Sequence, residues 1–239
     1  MVSRARFADV VDSITRDADV RVIVLTGRGG HFCSGGDVTT MKGGDAAMSA
    51  EAGRQRMRDS LRAVDRLYTC DKPVIAAVEG IAYGGGFGLA LLADLIVAGS
   101  TARFCMSFAR MGLVPDSGSL FTLPRIVGVQ RARALMLSAR ELDAETAQAW
   151  GIVAEVVPEG VALDRAMALA RALSGCSAAA VGMTKTALCN SLTSDWRSML
   201  EFEAAAQGVA FASEYHRDAV RRFLDKRSPA FQWPSTKAP

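Results

Sequence analysis

The sequence predicts an α/β protein: a largely parallel sheet with helices on its outside, followed by an all-helical tail. Two observations carry this expectation. Short apolar runs rich in β-branched residues alternate with segments of helical periodicity as far as Val157, which is typical of parallel strands joined by crossover helices. Beyond that point four successive segments have helical periodicity. A chain of 239 residues is long enough for one large domain with a smaller appendage.

The individual elements follow from apolar runs and their flanking Gly, Pro and polar residues. Strands are predicted at 20–27, 73–78, 95–98, 103–106 and 152–157. Helices are predicted at 3–17, 49–68, 89–94, 118–127, 130–138 and 143–150, and in the tail at 161–174, 178–191, 195–213 and 215–226. The first helix is amphipathic, with Phe7, Val10, Val11 and Ile14 expected on its apolar face.

The glycine-rich stretch GIAYGGGFG, residues 80–88, connects the predicted strand at 73–78 to an apolar helix. A triple glycine at such a turn lets the backbone approach a ligand closely, and the N–H groups of the first helical turn then point at that ligand. Such groups suit a phosphate or a developing oxyanion. The same pattern also suits a tight turn with close helix packing, so the stretch by itself leaves both interpretations open.

Composition argues against several classes of partner. The net charge is +3 without a basic tract, which gives no case for nucleic acid. Apolar runs are too short to span a membrane, and the start MVSRARFADVVDS lacks the apolar core of a signal peptide. The cysteines form no CxxC pair, and two histidines offer little for a metal site. We therefore expect a cytoplasmic protein with reduced thiols, no metal, no nucleic-acid partner and no membrane partner.

Four motifs together point to a family: HFCSGGDV, GIAYGGGFGLALLADLIVA, GLVPDSGSLFTLPRIVG and FLDKRSPAF. In their order and spacing they resemble the crotonase (enoyl-CoA hydratase/isomerase) superfamily over essentially the whole chain. The resemblance implies a spiral of ββα units with a C-terminal helical trimerisation region, assembly as a trimer or dimer of trimers, and an acyl-CoA thioester as substrate. Coenzyme A would enter as part of that substrate, with no separate cofactor.

The same resemblance divides the chain into a spiral core, residues 1–174, and a C-terminal helical region, residues 175–239. Members of the family usually begin with two further strands and a loop that helps to hold the coenzyme A nucleotide. This sequence starts at the helix that follows them, so we expect either a start that lies further upstream or a core that lacks those strands.

By resemblance, an oxyanion hole is formed by the backbone N–H groups of Gly36 and Gly85. Typical hydratases carry two glutamates that hold and deprotonate a water, and these positions are Gly88 and Phe108 here. Neither residue can handle a proton, so ordinary hydration is not expected. If that loss is the reason, returning glutamate to both positions should restore hydration in part.

Two acids remain between Gly80 and Arg125, namely Asp94 and Asp116. Asp94 ends an apolar helix and is expected to be structural. Asp116 lies in a Val-Pro-Asp-Ser-Gly turn where some isomerases and dehalogenases of the family place a working aspartate. With an apolar residue at Phe108, this pattern most resembles the 1,2-epoxyphenylacetyl-CoA isomerase and Δ3,Δ2-enoyl-CoA isomerase type. Alternatively, Asp116 caps the helix after the turn.

The expected function is therefore an acyl-CoA isomerase with Asp116 as acid and base. The alternatives are a hydratase whose base has moved to Asp116, and a non-catalytic acyl-CoA-binding paralogue. Candidates for an apolar acyl pocket, each equally suited to the core, are Met41, Phe87, Phe108 and Phe121. Phe223 and Lys226 fall where the family supplies an aromatic and a basic side chain to coenzyme A, often from the adjacent subunit. Without the resemblance, Phe223 would be interpreted as a core residue and Lys226 as a solvated surface residue.

Overall fold

The computed structural model describes residues 4–36 and 49–235. Its strands are β1 (Ile23–Thr26), β2 (Val74–Val78), β3 (Ile81–Tyr83), β4 (Leu95–Gly99), β5 (Arg103–Cys105), β6 (Glu141–Asp143) and β7 (Glu155–Val157). Its helices are α1 (Arg4–Arg16), α2 (Ala50–Thr69), α3 (Gly85–Ala90), α4 (Ser119–Val127), α5 (Val129–Ser138), α6 (Ala144–Ala149), α7 (Ala162–Ser174), α8 (Ala178–Asn190), α9 (Trp196–Phe211) and α10 (Glu214–Leu224), with a 3₁₀ helix at Ser107–Met111.

Two sheets organise the core. The first is parallel, with strand order β1-β2-β4-β7, and the second has order β3-β5-β6, in which β5 and β6 are antiparallel. Successive strands enter different sheets: β2 and β4 pair in the first, and β3 and β5 pair in the second. Each β2–β3 or β4–β5 pair is followed by a helix, so the chain advances as a spiral of ββα turns. The predicted α/β class and spiral are confirmed.

Strand β2 lies at the centre of the first sheet and all five of its residues are buried. Because successive side chains of a strand point to opposite faces, β2 contributes to two apolar clusters. Ile75 and Ala77 pack with α7, whereas Ala76 and Val78 pack on the side of the second sheet. A strand buried on both faces has no polar alternation, which explains why its sequence is a continuous apolar run.

The glycine turn starts its helix earlier than the apolar pattern indicates. The helix predicted at 89–94 is wrong in its bounds, because α3 spans Gly85–Ala90 and Leu91 is its C-cap. Glycine has low helix propensity, yet it forms the first turn here, because a Cβ on Gly86 would lie 2.2 Å from the carbonyl oxygen of Cys33 and one on Gly88 would lie 2.7 Å from Ser117 Cβ. Strands β3 and β6 were not predicted, because three residues are too few for a period of two to be recognised. The apolar face of α1 is also narrower than predicted, since Val10 is 48% exposed.

Asp94 has a structural role. Its Oδ2 accepts hydrogen bonds from the backbone N–H of Val74, at 2.7 Å, and from Lys185 Nζ, at 2.8 Å. The ammonium group of Lys185 is buried and also donates to the carbonyl of Lys72, at 2.9 Å. This pair ties α8 to the start of β2, which supports the structural interpretation of Asp94.

We predict that Asp94→Ala destabilises the fold without removing activity from the folded protein. Lys185 would keep a buried charge without its carboxylate partner. We expect the free energy of unfolding to fall by roughly 3 kcal/mol, the lower limit for breaking a buried pair, because Asp94 is 35% exposed. The free energy of unfolding in urea measures this. A change below about 1 kcal/mol would contradict the assignment, since that is the value of an exposed pair.

The C-terminal helices α9 and α10 contain no buried residue. Large apolar side chains exposed on α9 and α10 are Trp196, Leu200, Val209, Phe211, Val220, Phe223 and Leu224.

Among the described residues no single helix is long and apolar enough to cross a membrane, and only α7 and α8 together, bent by 112°, reach that length and composition. All five cysteines are free thiols. The division at residue 174 and the cytoplasmic location stay predictions.

Candidate active site

The site is built around the turn between β3 and α3. Gly84 has φ 51° and ψ −123°, a conformation that glycine adopts readily and other residues do not. Its N–H donates to the carbonyl of Cys105, at 2.8 Å, which ties the turn to β5. The chain then enters α3 at Gly85. The first N–H groups of a helix have no partner within it, so that of Gly85 is available to a ligand.

The loop that follows β1 lies directly against this turn. Cys33 forms a parallel bridge to Ala82, and its carbonyl accepts from the N–H of Tyr83, at 2.9 Å. A Cβ on Gly35, which has φ 95°, would lie 3.0 Å from the carbonyl oxygen of Tyr83 and 3.5 Å from the nitrogen of Gly85. Gly36, the predicted second donor, is exposed and follows this contact directly. The loop that follows β1 and the glycine turn are therefore in close contact, and the oxyanion hole at Gly36 and Gly85 stays a prediction.

Asp116 reaches the same point from a third segment. A Cβ on Gly85 would lie 3.3 Å from Asp116 Oδ1, so this partly buried carboxylate lies beside the first turn of α3. Its Oδ1 accepts a hydrogen bond from the Ser117 hydroxyl, at 2.9 Å. The alternative that Asp116 caps α4 is not supported, because the N-cap of α4 is Gly118, which makes no side-chain capping bond.

Phe108 and Gly88 are the two positions to which the resemblance assigns the glutamates of hydratases. The Phe108 ring is buried, and its Cζ lies 3.9 Å from where a Cβ on Gly84 would be. A Cβ on Gly88 would lie only 2.7 Å from Ser117 Cβ. The expectation that glutamates at both positions restore hydration stays a prediction, and a side chain at position 88 would require the turn that carries Asp116 to shift.

The remaining predicted residues lie elsewhere. Phe87 is fully buried and packs on Phe104 in the core, with ring centroids 5.1 Å apart. Phe121 is 39% exposed and contacts Tyr68 of α2, with the Arg125 guanidinium 3.3 Å above its ring. Phe223, 82% exposed on α10, and Lys226, just beyond that helix, are part of the exposed C-terminal surface. Met41 lies outside the described residues.

Two titratable groups near the turn, Tyr83 and Cys105, have raised pKa values. Burial and a hydrogen bond to Glu141 raise the pKa of Tyr83 to about 12. Burial also raises the pKa of the Cys105 thiol. Neither group is suited to exchange protons at neutral pH. Within the described ranges no three or more His, Cys, Asp or Glu side chains are grouped to hold a metal ion, and the expected absence of a metal stays a prediction.

Sequence reasoning missed Ser117 and Gly35. Ser117 has φ 53°, a left-handed conformation that is uncommon for serine. The only sequence signal for it is the glycine that follows. Together the elements place the first turn of α3 beside the Asp116 carboxylate, with the Phe108 ring next to Gly84. Such an arrangement can hold a developing oxyanion while a proton is moved next to it.

The chain is similar to known proteins over nearly its whole length. The family model described as enoyl-CoA hydratase/isomerase matches residues 4–234. The 1,2-epoxyphenylacetyl-CoA isomerase of Escherichia coli K12 is 36% identical over 227 residues, covering 95% of this chain and 87% of that protein. The short-chain-enoyl-CoA hydratase of Clostridium acetobutylicum is 33% identical over 219 residues, covering 91% of this chain and 82% of that protein.

A solved structure is similar over nearly the whole chain. The enoyl-CoA hydratase/isomerase from Cupriavidus metallidurans CH34 superposes with a TM-score of 0.91 at 40% identity, covering 98% of this chain and 88% of that one. The family model, the relatives and the fold all lead to one assignment: the chain belongs to the enoyl-CoA hydratase/isomerase family, that is, to the crotonase superfamily.

Proposed function

We propose that the protein is an acyl-CoA isomerase that moves a double bond of an enoyl-CoA thioester from the 3 to the 2 position. The observation that carries the proposal is the Asp116 carboxylate beside Gly85, 3.3 Å from where a Cβ on that residue would lie. The relative from E. coli, an isomerase by name, supports it.

In the proposed reaction, Asp116 takes a proton from the carbon next to the thioester carbonyl. The electron pair of that C–H bond moves toward the carbonyl oxygen, which becomes an enolate oxygen conjugated with the 3,4 double bond. The N–H groups of Gly36 and Gly85 hold this oxygen. Asp116 then returns the proton two carbons along, and the double bond re-forms between carbons 2 and 3. One base suffices, because the proton leaves and returns on one face.

The alternatives follow from the family. A relative from C. acetobutylicum is a hydratase by name, so a hydratase that uses Asp116 is the second candidate. Against this candidate, neither Gly88 nor Phe108 carries a polar group that could hold a water. A side chain at position 88 would also collide with Ser117. Isomerisation needs only the carboxylate that is present.

The surface that contacts the acyl-CoA and the oligomeric state of the protein are proposed from three further side chains. Phe108 supplies an apolar wall for the acyl chain next to Gly84. Phe223 and Lys226 would contact coenzyme A, and they lie on an exposed apolar surface of α9 and α10 that a second copy of the chain would cover. This supports a trimer or a dimer of trimers.

Assays of 3-enoyl-CoA and 2-enoyl-CoA of the same chain length, run side by side, separate the candidates. We expect faster turnover of the 3-enoyl thioester, to a product of unchanged mass that absorbs as a conjugated thioester. Faster turnover of the 2-enoyl thioester, to a product heavier by one water, would favour the hydratase instead. Tight binding of both thioesters without turnover would identify a non-catalytic paralogue.

A further inference from the structure

The turn that carries Asp116 has an unusual backbone. Within the described residues, the non-glycine residues with positive φ are Ser117, Ala139 and Lys226. Ala139 and Lys226 lie at the ends of α5 and α10, where left-handed residues are common. Ser117 instead precedes a helix, and Gly118 after it is also left-handed, with φ 77°. Such a conformation costs energy and persists only where the surroundings hold it.

Ser117 packs against helix α3. Gly85 and Gly88 are three residues apart and therefore share one face of the helix, which carries no side chain at either position. Ser117 Cβ lies 2.7 Å from where a Cβ on Gly88 would be, and Ser117 Oγ lies 3.3 Å from the corresponding point on Gly85. The serine fills the space that side chains at these two positions would need.

We propose that Ser117, packed on the bare face of α3 left by Gly85 and Gly88, is a positioning residue for the Asp116 carboxylate; this rests on the proposed function. The Ser117 hydroxyl donates to Asp116 Oδ1 at 2.9 Å and fixes the orientation of the carboxyl plane. The backbone is fixed as well, because the Asp116 carbonyl accepts from the N–H and the hydroxyl of Ser119, at 3.0 and 2.7 Å.

The hydroxyl and the backbone conformation can be tested separately with Ser117→Ala and Ser117→Gly. Both remove the hydroxyl, whereas glycine also relieves the left-handed strain, so the glycine variant should unfold at a temperature close to that of the parent protein. We expect kcat on 3-enoyl-CoA to fall about tenfold in both variants, with KM changed less than about twofold, because the base is less well oriented while the binding contacts stay.

An unchanged kcat in Ser117→Gly would overturn the proposal, because it would leave Ser117 a role only in shaping the turn. The matched control is Ser174→Ala, which removes an exposed hydroxyl that donates to the carbonyl of Arg171. It should leave both constants unchanged.

The contact with Gly88 is tested by a double-mutant cycle. Gly88→Ala should lower kcat, because its methyl group pushes Ser117 and the Asp116 carboxylate away from Gly85. Ser117→Gly removes the atom at 2.7 Å, so it should cost less in the Gly88→Ala background than in the parent protein. Additive losses would show that the two positions do not act through this contact, and would overturn that part of the proposal.

The failure of this inference and that of the proposed function give different results. If replacing Asp116 leaves turnover intact, the proposed function fails whatever Ser117 does. If replacing Asp116 abolishes turnover but both Ser117 variants keep the parent kcat, Asp116 remains the base and only the positioning role is rejected. Circular dichroism of each variant verifies that the fold is retained.

Discussion

Asp116→Asn is expected to abolish double-bond migration while acyl-CoA binding stays nearly intact. The amide keeps the shape of the carboxylate, and its oxygen can still accept the hydrogen bond that Ser117 donates to Oδ1 in the parent protein. It cannot accept the proton from the substrate. Because a positioned base contributes about 10²–10⁴ to the rate, turnover should fall by at least that factor.

Steady-state turnover of 3-enoyl-CoA and calorimetric binding of a saturated acyl-CoA measure the two effects. The matched control is Asp143→Asn, since Asp143 caps α6 by accepting from the N–H of Thr146 at 2.8 Å, a bond that asparagine can also accept. That variant should keep parent activity. If Asp116→Asn also kept most of its activity, Asp116 would be a structural residue and the chain would lack a candidate base.

Gly85→Pro is expected to lower kcat by a factor of about 10²–10³, the usual loss when one oxyanion donor is removed. Proline has no N–H, but it is well tolerated at the first position of a helix, which Gly85 occupies. The residue before it, Gly84, has φ 51° and ψ −123°, the mirror image of the extended conformation that a proline favours in its predecessor, and glycine adopts either hand. The substitution therefore removes the donor with little damage to α3.

Ala178→Pro is the matched control, at the first position of α8, where the preceding Ser177 is extended and Ala178 itself is exposed. It should be as active as the parent protein. A Gly85→Pro variant that is folded and equally active would show that the N–H of Gly85 does not hold the thioester oxygen. The ring also carries a Cβ near Asp116 Oδ1, and Gly85→Ala, which adds the Cβ but keeps the N–H, separates a lost donor from a displaced carboxylate.

Much of the fold could be predicted because local patterns dominate it. The apolar run of β2 and the helical periods of α4 to α10 reflect burial of a strand on two faces and of a helix on one. The candidate base and the glycine turn could also be found, through their place in motifs. The bounds of α3 could not, because its first turn consists of glycines that are poor helix formers and are required by close neighbours.

By itself, then, the sequence determined the α/β class, most element positions, the glycine turn and the choice of Asp116 as the candidate acid and base. Only the tertiary structure decided what these residues do to one another. Ser117 lies about thirty residues after Gly85 and Gly88 along the chain, and its contact with them depends on how α3 packs against the turn before α4. That packing brings the Asp116 carboxylate to Gly85, holds Ser117 in a left-handed conformation and excludes a side chain at Gly88, because two backbones in close contact leave no volume for a Cβ between them.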